Sequence, residues 1–146
     1  MLSKIKQLIK ELGVEIQFME FVRHGYFGIE NNKPIIFIND NLTELDTSLT
    51  ILHETAHFLN QDCEKRITNH FQNNNIEYEA NRYMIQVVMK MLDEQYDFTP
   101  DTNYQQIIDN LNLPYNLDGI IIDEFNNIIS DKLGLTPYHE SDCFYE

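Results

Sequence analysis

The chain has 146 residues, about one domain's worth of polypeptide. Its 42% hydrophobic and 12% aromatic content can form a core and argues against a disordered chain. Ten Lys and Arg against 24 Asp and Glu give a net charge of −14. That balance excludes direct nucleic-acid binding, because nothing neutralises a phosphate backbone, and it favours a basic partner.

No window approaches the ~20 apolar residues of a membrane helix. The start, MLSKIKQLIKELG, interrupts its apolar residues with charge and lacks the h-region of a signal peptide. Cys63 and Cys143 make neither a CxxC nor a disulfide framework, so reduced thiols in a cytoplasmic protein are expected.

Leu2, Ile5, Leu8, Ile9 and Leu12 share one helical face, and Gly13 ends that helix. Val14, Ile16 and Phe18 alternate with polar residues as in a half-buried strand. Residues 26–30 and 34–39 flank Asn31, Asn32 and Lys33, a turn-forming group, which predicts a β-hairpin. Its second strand runs Ile35, Ile36, Phe37, Ile38 without alternation, as in a strand covered on both sides.

Thr43, followed three residues later by Asp46, begins a helix to about residue 60, with Leu45, Leu49, Leu52, Ala56 and Leu59 on one face. A polar connector, 61–75, leads to a second long helix carrying Ala80, Tyr83, Met84, Val87, Val88 and Met91. Beyond Pro100, short helices are expected over 104–111 and 118–133, around a turn at Pro114. The order predicts a single α+β domain over 1–146: a small three-stranded antiparallel or mixed sheet packed on helices, a core over about 13–92 and a helical segment over 100–146.

The central helix contains His53-Glu54-Thr55-Ala56-His57, an H-E-x-x-H. Residues four apart lie on the same helix face, so both imidazoles can bind one zinc ion. A water held by zinc has its pKa brought from 15.7 to about 7, and Glu54 is placed to take its proton and pass it to a leaving amine. Such a pattern arises by chance in roughly one chain in a hundred of this size. The apolar surroundings, SLTILHETAHFLN, make the site semi-buried, and a buried histidine pair needs a partner.

A catalytic zinc takes a third protein ligand and keeps an open position. The run NIEYEANRY offers Glu77 and Glu79, which project about 200° apart around a helix. Cys63, six residues after His57, is a competing donor, although a thiolate is unusual in a catalytic hydrolase. His24, His70 and His139 have no ligand spacing, and His70 or Tyr83 is a candidate for stabilising an oxyanion. The Glu77 arrangement resembles thermolysin-like zinc peptidases, in which a helical Glu binds zinc and a polar residue four positions on orients a ligand histidine. That resemblance makes Glu77 the third ligand and Asn81 its supporting residue.

Gly28-Ile29, PIIFIND ending in Asn39, LTILHETAHFL, and the run from Glu77 to Tyr83 follow in the order found in the ImmA/IrrE family of metallo-endopeptidases, which this chain resembles over residues 28–89. By that resemblance His53, His57 and Glu77 bind zinc, Glu54 is the catalytic base, Asn81 supports a ligand, and the fold is a minimal zincin core. One departure stands out: the family often continues Leu-Leu-Met-Pro, whereas here Val88-Met89-Lys90 leaves the helix free to run to about residue 93.

The resemblance also implies a partner. Members commonly cleave a helix-turn-helix repressor in phages, mobile elements or stress regulation. A basic repressor suits an acidic protein, and a peptide substrate is expected to lie extended beside an edge of the sheet. The competing expectation is a non-catalytic antirepressor or antitoxin-like module with a structural zinc site. A general degradative peptidase is a third, which the small acidic chain suits poorly.

Overall fold

The computed structural model describes residues 1–60 and 70–134, with the backbone alone for 70–73. In chain order the elements are α1 (Leu2–Glu11), β1 (Glu15–Met19), β2 (Gly25–Glu30), β3 (Lys33–Asn39), α2 (Glu44–Leu59), α3 (His70–Tyr96), α4 (Tyr104–Leu111), a 3-10 turn (Tyr115–Leu117) and α5 (Asp118–Lys132). Contacts divide the chain into two compact units, Met1–Val88 and Met89–Glu146, with the division inside α3.

In the first unit, α1 buries Ile5 and Ile9. It ends where Gly13 takes φ +77°, a left-handed conformation that glycine adopts without strain. The amide of Gly13 bonds the carbonyl of Lys10 (3.0 Å) and that of Val14 bonds Ile9 (3.2 Å), the double closure of a Schellman motif. The chain thereby enters β1 with Val14 buried. Phe18, expected to be half-buried, is 46% exposed, and the Lys6 ammonium stands 5.2 Å above its ring.

The sheet has the order β1-β3-β2, with β1 parallel and β2 antiparallel to the central β3. Asn31 and Asn32, at φ 52° and 63°, form the two-residue hairpin turn, so Lys33 belongs to the strand and pairs with Glu30. β3 carries adjacent buried residues, Ile35 and Ile36, because both of its faces are covered. The amide of Asn39 bonds the carbonyl of His24 (2.8 Å), which sets the alternation of the antiparallel ladder. In that alternation the backbone groups of Gly25 and Ile29 point away from β3, along the outer edge of the sheet.

Helix α2 is capped as its sequence predicts: the Thr43 hydroxyl accepts the amide of Asp46 at 3.1 Å. It buries Leu49, Ile51, Leu52 and Ala56, while Leu59 at its end is exposed. Two of its buried hydroxyls turn back on their own helix, Ser48 to the carbonyl of Glu44 (2.9 Å) and Thr55 to that of Ile51 (2.7 Å), and are satisfied there. A side chain at Gly25 would lie 2.7 Å from the Phe37 carbonyl oxygen and 2.8 Å from Thr50 Cγ2, so the start of β2 approaches α2 as closely as glycine alone permits. Further along, Phe27 of β2 meets Phe58 of α2 edge to face at 5.8 Å. β2 therefore runs beside the end of α2 that carries the histidines.

Helix α3 begins at His70 and continues to Tyr96, so residues 70–75 are helical where a connector was expected, and the helix passes Lys90 without a break. In the second unit, Phe98 and Tyr104 pack around Phe125 at 5.6 and 5.8 Å. The Lys132 ammonium, from the last turn of α5, bonds the carboxylates of Asp93 and Asp97 and the carbonyl of Phe98. These contacts tie α5 to the end of α3 and the segment that follows. Among the described residues, no helix is long and apolar enough to cross a membrane.

Candidate metal centre

His53 and His57 sit one turn apart on α2, and their rings meet at 83° with centroids 4.8 Å apart. Their Nε2 atoms face each other at 3.2 Å. From α3, the carboxylate of Glu77 spans both: Oε2 lies 2.9 Å from His53 Nε2, and Oε1 lies 3.3 Å from His57 Nε2. Two imidazole nitrogens and a carboxylate oxygen thus gather within 4.8 Å of one another. The His57 side chain is almost fully enclosed, at 2%, while Glu77 is exposed at 47% and leaves the cluster open on its side.

Hydrogen bonding to His53, then to His57, holds the Glu77 carboxyl well below the usual carboxylate range. Partial burial opposes that shift, and the charges of the two imidazoles reinforce it. The group is therefore an anion at any pH at which the protein is folded and the imidazoles are neutral. Two neutral nitrogens and one anionic oxygen suit a divalent cation of borderline softness.

Of the remaining expected residues, some lie beside this cluster and others away from it. Glu54 lies on α2 beside His53 and is buried, at 7% exposure. Asn81 is half-buried one turn beyond Glu77 on α3. Glu79 is not among the converging donors and lines a separate cleft with Arg82 and Tyr83. Tyr83, an oxyanion candidate, faces that cleft, which none of the three donors lines; burial pushes its phenol pKa up. His24 is an exposed residue whose role here is its carbonyl. Cys63, Cys143, His139 and the side chain of His70 lie outside the described residues.

Gly25 and the Phe27–Phe58 contact, which bring the sheet against the histidine-bearing helix, were not singled out by spacing. Glycine before an aromatic strand was the available signal for the first.

On an H-E-x-x-H helix and a neighbouring helical carboxylate, three donors stand close enough together to bind a metal ion. The chain belongs to the Peptidase M78 family: the model of its IrrE N-terminal-like domain matches residues 9–110. The match extends past the resemblance seen at 28–89, taking in the end of α1, all three strands, α2, α3 and most of α4. Membership supports a metallopeptidase-type function. No curated protein and no solved structure matches the chain significantly.

Proposed function

We propose that this protein is a zinc-dependent endopeptidase that cleaves a specific regulatory protein of the helix-turn-helix repressor class, in a cytoplasmic setting such as phage or mobile-element regulation. The observation that carries the reading is the convergence of His53, His57 and Glu77. Bonds of 2.0–2.1 Å to a tetrahedral ion place its donors about 3.3 Å apart. The closest spacings here, 2.9 Å to one carboxylate oxygen, 3.3 Å to the other and 3.2 Å between the two nitrogens, lie at or a little below that distance, so the donor set fits zinc with a small outward adjustment.

When bound, zinc supplies Lewis acidity, which polarises a carbonyl oxygen and acidifies water. The chain's own residues supply the rest. His53, His57 and Glu77 would hold the ion through two imidazole nitrogens and a carboxylate oxygen. Glu54, buried beside His53, accepts a proton from the attacking water as its oxygen bonds the carbonyl carbon. It returns that proton to the peptide nitrogen as the C–N bond breaks. The products are one new carboxyl and one new amine, and Glu54 regains its starting state.

The acidic surface favours a basic substrate. Between Met89 and Gly134 nine carboxylates stand against only Lys90 and Lys132, so a DNA-binding surface is attracted to this unit. The outer edge of β2, beside the histidine-bearing end of α2, suits an extended substrate segment.

The test is incubation of zinc-loaded protein with the repressor encoded beside its gene, followed by mass spectrometry. One specific cut is expected, absent with Glu54→Gln, which keeps the fold and zinc. Repressor inactivation that survives Glu54→Gln undiminished makes the protein a binding antirepressor instead.

A further inference from the structure

A second site lies along α3 and is lined by none of the three converging donors. Between α2 and α3 is a cleft of about 310 Å³, at the small end of ligand pockets, which run from roughly 300 to 1,000 Å³. Ala56 and Leu59 of α2 give it an apolar wall. Glu79 and Arg82 of α3 bring opposite charges to its rim.

The charged pair is the informative feature. Residues three apart on a helix are neighbours with Cβ atoms about 5–6 Å apart, a spacing at which Glu and Arg ordinarily pair. Here they form no ion pair, and neither has a partner among the described residues. An unpaired arginine is unexpected in a chain where acids outnumber bases 24 to 10. The Asn60 and Gln86 amides line the same space and offer both donors and acceptors. The Tyr83 phenol, kept protonated by its raised pKa, adds a donor.

We propose that this cleft binds a small zwitterion of the α-amino-acid class, its carboxylate on Arg82, its ammonium on Glu79 and its side chain against Ala56 and Leu59. A guanidinium matches a carboxylate with paired N–H donors, and the amides complete the contacts around both charged ends. The short spacing between Glu79 and Arg82 suits the two ends of one small molecule and excludes the distant termini of a long peptide. None of the metal donors lines the cleft, so the assignment stands independently of the hydrolase reading.

The test is calorimetric titration of the full chain with glycine, L-leucine and L-glutamine, alongside N-acetyl-leucine and leucinamide, which each lack one of the two charges. Saturable binding of at least one amino acid with Kd below about 1 mM is expected. Arg82→Gln and Glu79→Gln should each weaken it at least tenfold, as should capping either end of leucine. Both side chains are exposed, so unchanged thermal unfolding of the two variants separates lost binding from lost fold. Absence of binding by all three amino acids, binding indifferent to both substitutions, or capped analogues that bind as well as leucine overturns the proposal.

Discussion

Glu77 Oε2 stands 2.9 Å from His53 Nε2, joining α3 to α2 across 24 residues of sequence. The same carboxylate reaches His57 through its other oxygen at 3.3 Å, so one side chain bridges both imidazoles. The contact is tertiary: the histidine face follows from helical spacing, whereas the carboxylate arrives only because α3 packs beside α2.

Removal of this donor therefore weakens zinc binding far more than removal of its near neighbour. Loss of groups that merely support a ligand costs about 10–100-fold in metal affinity, so Glu77→Ala should exceed that range. Glu79→Ala, whose side chain lines the other cleft, should change the affinity less than about threefold. Chelator competition measures both, and the reverse order assigns the third ligand to Glu79.

Mild acidity should leave the Glu77 carboxylate ionised. The Glu77 pKa is depressed, so the carboxylate stays ionised as pH falls through the ordinary carboxylate range and protonates only far below it. Any stability it lends the apo protein is accordingly present in full above the ordinary carboxylate value and lost progressively as pH falls below it toward the depressed folded-state value. Metal ligands must be deprotonated, so zinc affinity should fall on acidification from pH 7 to about pH 5, but the protons that zinc displaces in that window should include none from Glu77. Titration in buffers of different ionisation enthalpy counts them. Protonation of the Glu77 carboxyl in that window, read from its infrared carbonyl stretch against Glu77→Ala, contradicts its hydrogen bonding to His53 and His57.

Gly25 should be intolerant of even one methyl group. The added carbon meets the Phe37 carbonyl oxygen at 2.7 Å, backbone that cannot swing aside, as well as Thr50 Cγ2 at 2.8 Å. Overpacking of this kind costs about 1–3 kcal/mol. Gly25→Ala should lower the urea midpoint accordingly, while Gly119→Ala, where an added carbon meets nothing within 4 Å, should leave it nearly unchanged.

Much of this was readable locally. Gly13, the Asn31-Asn32 turn and the Thr43 cap are features whose conformations depend on a few adjacent residues, and each does what its chemistry predicts. The H-E-x-x-H face follows from the helical period alone. Less legible was whatever depends on distant chain. β1 pairs in parallel with β3, although β2 lies between them in sequence, because pairing is decided by the whole sheet. The polar start of α3 has no apolar period to reveal it, yet it is helical from His70. The Glu79–Arg82 cleft is invisible in sequence, since a pair at this separation reads as an ordinary surface ion pair.

The central claim is that His53, His57 and Glu77 hold one zinc ion, and X-ray absorption spectroscopy of the zinc-loaded chain tests it most directly. The account predicts one ion per chain in a shell of nitrogen and oxygen only, at about 2.0–2.2 Å, with the outer scattering of two imidazoles. Sulfur scattering at about 2.3 Å, a single imidazole, or the same spectrum from Glu77→Ala would contradict it.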